Sequence, residues 1–535
     1  MTQTRALTDR QITRAAAVVV AGFLTSGALG LVRTAVIAAV FGTDVQVEAF
    51  FAAQRIPEAL FVLVAGGALG SAFIPVFTRY LDNDDANDHA WKLASATMTL
   101  SAGAALLLSL LAMLTAPLYV PLIAPESAGP GVQLLTTRLM QLMLITPVIF
   151  SISGLLMGIL NAHQLFMLPA IAIGMNNIGL IVGALVFTRL IPTADGAPSV
   201  FGLALGAVFG ALLHLAVQLP GLSRIQGRLR LSIDWRLEGV SEILRLMAPR
   251  VLGLAVVQIN FLVNVRLAFP MAEGSVAAIT YAWTLMFFAL GVIAQGVGTA
   301  LFPTLSALYA EGNMDSFRDR LASAMRSVLF LSIPATVGLM LVSEPLVGTL
   351  FGGRGAWTEQ STQAVAWALA FFSLGIAGHS LLEVLSRAFY ALHDTWTPVW
   401  AGMLAMVSNI TLSLVFIQFI GEPGNLARGP FAGLALANAL TTLAEGVLLW
   451  WLMRRRIGGV NDSNVLDGVW RTLAAAGVMG LVVLAVRMTS TFTQPLVSLS
   501  VLGLAGAVVF FAVAAALNLS EARTVPALVL SRFRR

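Results

Sequence analysis

The chain has 535 residues, 58% hydrophobic and only 11% charged, with a mean hydropathy of +0.88. An average soluble domain carries about 25% charged residues, so an ordinary soluble fold is excluded. The absence of cysteine removes disulfides, thiolate nucleophiles and Cys-ligated metals, and the net charge of +5 comes from basic residues in short segments between apolar runs, a membrane-topology signal and not a nucleic-acid one.

Arg5, Asp9, Arg10 and Arg14 precede an apolar stretch from Ala15 to Val40. It is longer than the hydrophobic core of a signal peptide, about 7 to 15 residues, and reads as a retained first span. Breaking the later runs at Pro, Gly and polar clusters predicts about fourteen transmembrane helices, near 16–40, 50–77, 93–118, 134–160, 167–190, 199–220, 246–270, 276–305, 326–350, 362–387, 396–420, 430–453, 469–488 and 495–518. Stretches such as Ala94 to Ala124 and Leu139 to Thr188 contain no Asp, Glu, Lys or Arg and lack the two-residue alternation of barrel strands, so the expected class is all-α.

Alternate loops collect Arg79 and Lys92, then Arg224, Arg228, Arg230, Arg236 and Arg245, then Arg318 and Arg320, and finally Arg454, Arg455, Arg456 and Arg471. By the positive-inside rule these loops and both termini face the cytoplasm of a multi-pass inner-membrane protein. The segment Gly70-Ser-Ala-Phe-Ile-Pro75 matches Gly298-Thr-Ala-Leu-Phe-Pro303, and Leu160-Asn-Ala162 with Pro169 matches Phe389-Tyr-Ala391 with Pro398, at offsets of 228 and 229 residues. Two matches at nearly one offset predict two pseudo-symmetric six-helix lobes of parallel topology, 1–230 and 231–457, followed by two extra helices and a cytoplasmic tail in 458–535.

Ionisable residues inside spans are costly and usually face a bundle interior or a wet cavity. Arg33 stands in the first span; Glu48, Arg55 and Glu58 open the second; Arg250 and Arg266 lie on the seventh with Gln258, Asn260 and Asn264. Glu344 ends the ninth, His379, Glu383 and Arg387 share one face of the tenth at helical spacing, and Glu445 sits in the twelfth. Arg33, Arg55, Arg250 and Arg266 are expected to converge on a central cavity from both lobes. A planar, permanently charged guanidinium suits a diphosphate there. Structural ion pairing, for example Arg33 with Glu48 or Arg387 with Glu383, is the competing reading for each. Interhelical hydrogen bonding competes for the Gln and Asn residues. No P-loop, His-Glu-x-x-His or paired-carboxylate loop is present, so a transporter without cofactor, bound metal or catalytic residue is expected, not an enzyme.

Phe41-Gly-Thr-Asp, Glu48-Ala-Phe-Phe51, Gly67-Ala-Leu-Gly-Ser-Ala-Phe-Ile-Pro75, Gly158-Ile-Leu-Asn161 with Phe166 and Pro169, Gln218-Leu-Pro220, Gly298-Thr with Pro303 and Leu305-Ser306, and Phe389-Tyr-Ala-Leu-His-Asp-Thr-Trp-Thr-Pro398 resemble the signatures of the MurJ (MviN) family of lipid II flippases, over spans 1 to 12. The resemblance implies a fold of the multidrug/oligosaccharidyl-lipid/polysaccharide exporter type, alternating access between two lobes, and a groove for the polyprenyl tail formed by the last two helices. It also implies the substrate lipid II, an undecaprenyl-diphosphate carrying the peptidoglycan precursor, moved from the inner to the outer leaflet. Arg33 then occupies a family arginine position, Glu48 an acidic one and Arg55 a commonly basic one. The chain departs from the family where Gly27, Phe61 and Thr284 replace basic residues and Gly66 an acidic one, and no carboxylate lies between Pro249 and Pro270, where some relatives are proposed to bind sodium. Arg250 and Arg266 are the expected compensation for the missing basic positions, with Glu383 and Arg387 completing the substrate-binding set. Expected partners are the glycolipid, the membrane and proteins of cell-wall synthesis, acting on a monomer. The other readings are a flippase for another polyprenyl-diphosphate oligosaccharide of O-antigen or capsule type and a non-transporting cell-wall scaffold. A drug or cation antiporter would want an acidic cavity.

Overall fold

The computed structural model describes residues 9–64, 67–81, 87–125, 128–490 and 492–523; Arg5 and Gly66 lie outside them, as does the side chain of Arg250. Among the described residues there is no strand. The helices are α1 (Asp9–Phe41), α2 (Val45–Val64), α3 (Gly67–Leu81), α4 (Asn87–Ile123), α5 (Pro130–Met143), α6 (Thr146–Ala162), α7 (Met167–Val182), α8 (Thr188–Leu190), α9 (Phe201–Ala216), α10 (Leu219–Arg224), α11 (Val240–Ala268), α12 (Ser275–Leu290), α13 (Gly296–Ala310), α14 (Met314–Phe351), α15 (Glu359–Ser373), α16 (Ile376–Ala391), α17 (Trp396–Phe416), α18 (Ala432–Ile457), α19 (Asp462–Thr489) and α20 (Pro495–Ala516). Five-residue π turns, Gly183–Phe187 and Gly291–Gln295, join α7 to α8 and α12 to α13.

Ten of the described helical stretches are long and apolar enough to cross a bilayer, eleven if α15 and α16, bent by 47° at their junction, form one span. Thr25–Phe41 and Gly253–Ala268 are shorter apolar helices. Backbone groups in hydrocarbon have no water to bond, and helices satisfy them internally, which is why the described apolar stretches fold as helices.

The chain divides into two compact units, Met1–Ala277 and Ala278–Arg535. In the first, α1 packs on α7 and α7 on α9, while α11 packs on α2, α3 and α4. The α7–α9 crossing is made by glycines: a Cβ on Gly179 would lie 2.2 Å from the Cα of Gly210, and one on Gly183 2.7 Å from that of Gly206. Lipid tails supply no hydrophobic drive between helices, so such backbone-to-backbone approach is how van der Waals contact is gained. A core of Phe73 stacked on Phe77 at 4.9 Å, with Trp91, Leu155 and Ile159, receives Val240 and Ile243 of α11. Arg79 adds a two-pronged bond to Glu242 at 3.0 and 3.1 Å, an exposed pair that water and salt screen and that contributes little. The seventh predicted span, α11, packs within this first compact unit.

In the second unit α14 is the central helix, touching α13, α15, α16, α19 and α20, while α18 packs on α16 and α17. Phe330 of α14 meets Phe510 of α20 at 5.1 Å, and one continuous core runs from Leu301 to Ala522. The last two helices are thus integral to this unit, although the repeat ends before them.

Candidate functional site

Eight of the ten expected site residues fall in the first compact unit: Arg33, Glu48, Arg55, Arg250, Gln258, Asn260, Asn264 and Arg266 all precede Ala278. Arg33 is half-buried on α1. Glu48, in the first turn of α2, is 4% exposed, and its carboxylate accepts from the backbone N–H of Val276 at 2.7 Å and of Ala277 at 3.4 Å. A carboxylate on the unpaired amides of a helix N-terminus is a recurrent arrangement, because those amides have no intrahelical acceptor and carry partial positive charge. Glu48 therefore anchors the start of α12 in this structure, an accepting role that the sequence alone did not disclose.

Arg55 follows Glu48 by two turns of α2. Its Nη1 donates to Glu58 at 3.3 Å, its guanidinium carbon stands 5.1 Å from the ring centroid of Phe261 on α11, and its buried Nε has no hydrogen-bond partner. Asn260 and Asn264 flank Phe261, and each has a buried side-chain oxygen without a partner. Gln258, a half-turn before them, is buried. α2 therefore holds an arginine with bonding capacity left over, set against a stretch of α11 that carries two amide acceptors in the same state. Unsatisfied buried polar atoms are costly, so these three, among the twelve found in the described residues, offer bonding capacity to a polar ligand or water. Arg266, by contrast, is exposed in the last turn of α11, and Arg250 is placed only as a backbone position on that helix.

In the second unit, Glu383 and Arg387 are bonded to each other on α16, one turn apart. The guanidinium lies against Gly298 of α13: a Cβ there would fall 2.3 Å from Nη1 and 3.0 Å from Cζ. The glycine that aligned with Gly70 in the repeat is the space into which Arg387 fits. One turn before Glu383, His379 shares a 3.3 Å contact from Nε2 to Oδ1 of Asn438 and meets Trp283 edge-on at 5.7 Å. Of the other intramembrane carboxylates, Glu344 pairs with Arg487 at 2.6 Å, and Glu445 on α18 faces Gly402 of α17.

The ion-pair reading accordingly holds for Glu383 with Arg387; Glu344 pairs with Arg487 and Arg55 with Glu58, partners the sequence reading did not name. Phe261 and Gly298 are the site neighbours that the sequence did not single out for this role. A lone aromatic among Gln258, Asn260 and Asn264 was the available signal for the first. Where family basic residues are replaced, Phe61 packs on Phe150 at 4.9 Å and the Thr284 hydroxyl donates to its own helix at Thr280. Among the described residues no cluster of His, Asp and Glu has the makings of a metal site.

A family profile described as "Lipid II flippase MurJ" matches residues 37–505. A probable lipid II flippase MurJ of Vibrio cholerae is 30% identical over 450 residues, covering 83% of each chain. A lipid II flippase MurJ of Burkholderia cenocepacia is 29% identical over 490 residues, covering 89% of this chain and 91% of that one. Among solved structures, a lipid II flippase MurJ in an inward closed conformation superposes with a TM-score of 0.75 at 22% identity over 92% of this chain and 97% of that one. An inward-facing multidrug resistance transporter of the MATE family gives 0.66 at 16% identity over 82% and 96%. These structural likenesses establish the fold.

Proposed function

Because the chain belongs to the MurJ family of lipid II flippases, we propose that it carries lipid II, or a closely related polyprenyl-diphosphate glycolipid, from the inner to the outer leaflet of the bacterial cytoplasmic membrane by alternating access. It is a multi-pass transporter and not an enzyme. The observation that carries the substrate reading is Arg55, held in a membrane-embedded position with an unpartnered Nε, against Phe261 of the helix that also carries the open acceptors of Asn260 and Asn264. A guanidinium offers paired, charge-assisted bonds to a diphosphate, and the amide groups suit the hydroxyl and amide functions of a sugar-peptide head.

Arg33 is the proposed second cationic contact on the first unit, with Arg250 and Arg266 secondary to it, and Arg387 is the proposed contact on the second. Glu48 and Glu383 hold backbone and guanidinium in place. The wider organisation proposed is that of the sequence repeat, lobes 1–230 and 231–457 with 458–535 appended, a monomer with both termini cytoplasmic, working beside cell-wall synthesis proteins. Depleting the host's own flippase with this gene as sole replacement tests the reading: cells carrying the unaltered gene survive, while Arg55→Ala lowers lipid II translocation roughly tenfold, the equivalent of about 1.4 kcal/mol in the barrier. Undiminished translocation by Arg55→Ala would remove the diphosphate role of that residue.

A further inference from the structure

The segment between α10 and α11, residues 225–239, has no regular secondary structure but a definite course along α4. It starts beside Trp91, which lies 3.1 Å from a Cβ built on Gly227. The N–H of Arg230 then donates to the Ser95 hydroxyl at 3.0 Å, and the N–H of Ser232 to the Thr99 hydroxyl at 3.1 Å. The chain then turns, the Asp234 carboxylate accepting from the Arg236 N–H at 3.1 Å, and returns so that Glu238 meets His89 and Gly239 faces Leu93. From Trp91 to Thr99 is eight residues of helix, a travel of about 12 Å. The charge-free run of α4 begins just after Lys92, so the tip of this hairpin-like excursion reaches about two turns into the apolar part of the helix.

Its side chains divide accordingly. Leu229 and Leu237 pack inward on the core of the first unit. Leu231, Ile233 and Trp235 at the tip point outward and are 91%, 77% and 64% exposed, an unusual outlay of large apolar surface for a loop rich in charge. Thr99 shares its helix face with Leu106 and Leu110, two and three turns further on, which are 48% and 47% exposed and belong to the bilayer-facing side of α4. The tip thus continues the exposed apolar surface of α4. Around it stand the exposed Arg228, Arg230 and Arg236, the last with its guanidinium 4.9 Å over the Trp235 ring.

We infer that residues 225–239 form a membrane-inserting hairpin, with Leu231, Ile233 and Trp235 seated among acyl chains at the headgroup boundary and Arg228, Arg230 and Arg236 bound to the phosphates of anionic phospholipid. Apolar side chains interleaved with arginine are the chemistry of that boundary, and basic residues beside a span draw acidic lipids. Two of the tip's backbone N–H groups are already satisfied by α4, which removes part of the cost of leaving water. The inference rests on the loop geometry and is independent of the transported substrate.

The absence of cysteine makes the test clean. A nitroxide is attached to Ile233→Cys in the otherwise complete chain, reconstituted in vesicles of phosphatidylcholine alone or mixed with phosphatidylglycerol. Leu107→Cys on the lipid-facing side of α4 and Gln360→Cys at the exposed start of α15 are the references. The expected result is an oxygen-to-nickel-chelate collision ratio at 233 close to that at 107 and several-fold above that at 360, with motion at 233 slowed further by phosphatidylglycerol. Triple replacement of Arg228, Arg230 and Arg236 by Gln abolishes that slowing, and replacement by Lys preserves it. A label at 233 that collides with the nickel chelate as freely as the one at 360 overturns the insertion. Immersion without any response to phosphatidylglycerol overturns the anionic-lipid part.

Discussion

Two helices of this protein, α2 in the first unit and α16 in the second, carry the same device, an arginine bonded to a glutamate one turn away. Their surroundings differ. Arg55 is steadied by an aromatic face, Phe261, with its Nε left without a partner, whereas Arg387 is tucked into the space left by a missing side chain at Gly298. A pair within a helix is worth only about 0.3–0.5 kcal/mol, so what fixes each guanidinium is the neighbouring helix. A ring permits approach by a ligand from the open side; a glycine pocket holds the cation by shape.

The strongest way to break this comparison is Gly298→Ala. The added methyl would sit 2.3 Å from Nη1 of Arg387, so the guanidinium must swing away from Glu383, and transport by reconstituted protein is expected to fall roughly tenfold, about 1.4 kcal/mol. Thermal stability should fall far less, because the clashing atoms belong to a flexible side chain, and Arg387→Ala in the same background should recover it. If Gly298→Ala transports normally, Arg387 is not held by shape. A smaller effect is expected at the other helix, where Phe261→Leu removes the face under Arg55 and costs about 0.5–1 kcal/mol of stability, measured by unfolding in detergent; Phe261→Trp should keep or exceed the original value.

The smallest effect sharpens the contrast with an arginine–carboxylate pair whose carboxylate lies past the last span. Arg326 on α14 grips Glu521, just past α20, at 2.8 and 3.1 Å. Burial pushes the Glu521 carboxyl up, but the bonds and charge of Arg326 outweigh it and hold the group below its usual range. The unfolded carboxyl takes its proton near pH 4.3 (about the model-peptide value) and the folded one only below that. The stabilisation is therefore fully present above about pH 4.3 and is lost as the pH falls through the folded value. The melting temperatures of the protein and of Glu521→Gln should differ at neutral pH and converge in acid; a difference unchanged by acid would mean that the pair carries no linked proton.

Much of the architecture was legible because apolar length and loop charge are one-dimensional signals. The predicted spans lie largely on helix where they are described, with turns at 144–145, 217–218 and 374–375 interrupting three of them, and ten stretches, or eleven with the bent pair, are long and apolar enough to cross a bilayer. The spacing of Glu383 and Arg387 gave their pairing directly, since residues four apart meet on one helix face. The sequence also held, unread, the four-residue glycine spacing of Gly179 with Gly183 and of Gly202, Gly206 and Gly210, which became the closest crossing in the first unit.

By itself, then, the sequence determined that the chain is an all-helical membrane transporter with arginines in its spans, because burying backbone in hydrocarbon leaves helices as the economical solution and every intramembrane charge stands out against so apolar a background. Only the tertiary structure decided what those charges do. Glu48 meets amides 228 residues away, Arg55 lies over a ring on α11, and that helix joins the first unit and not the second. Contacts of such separation depend on how helices pack, which in a membrane is set by small residues and shape complementarity rather than by any periodicity along the chain.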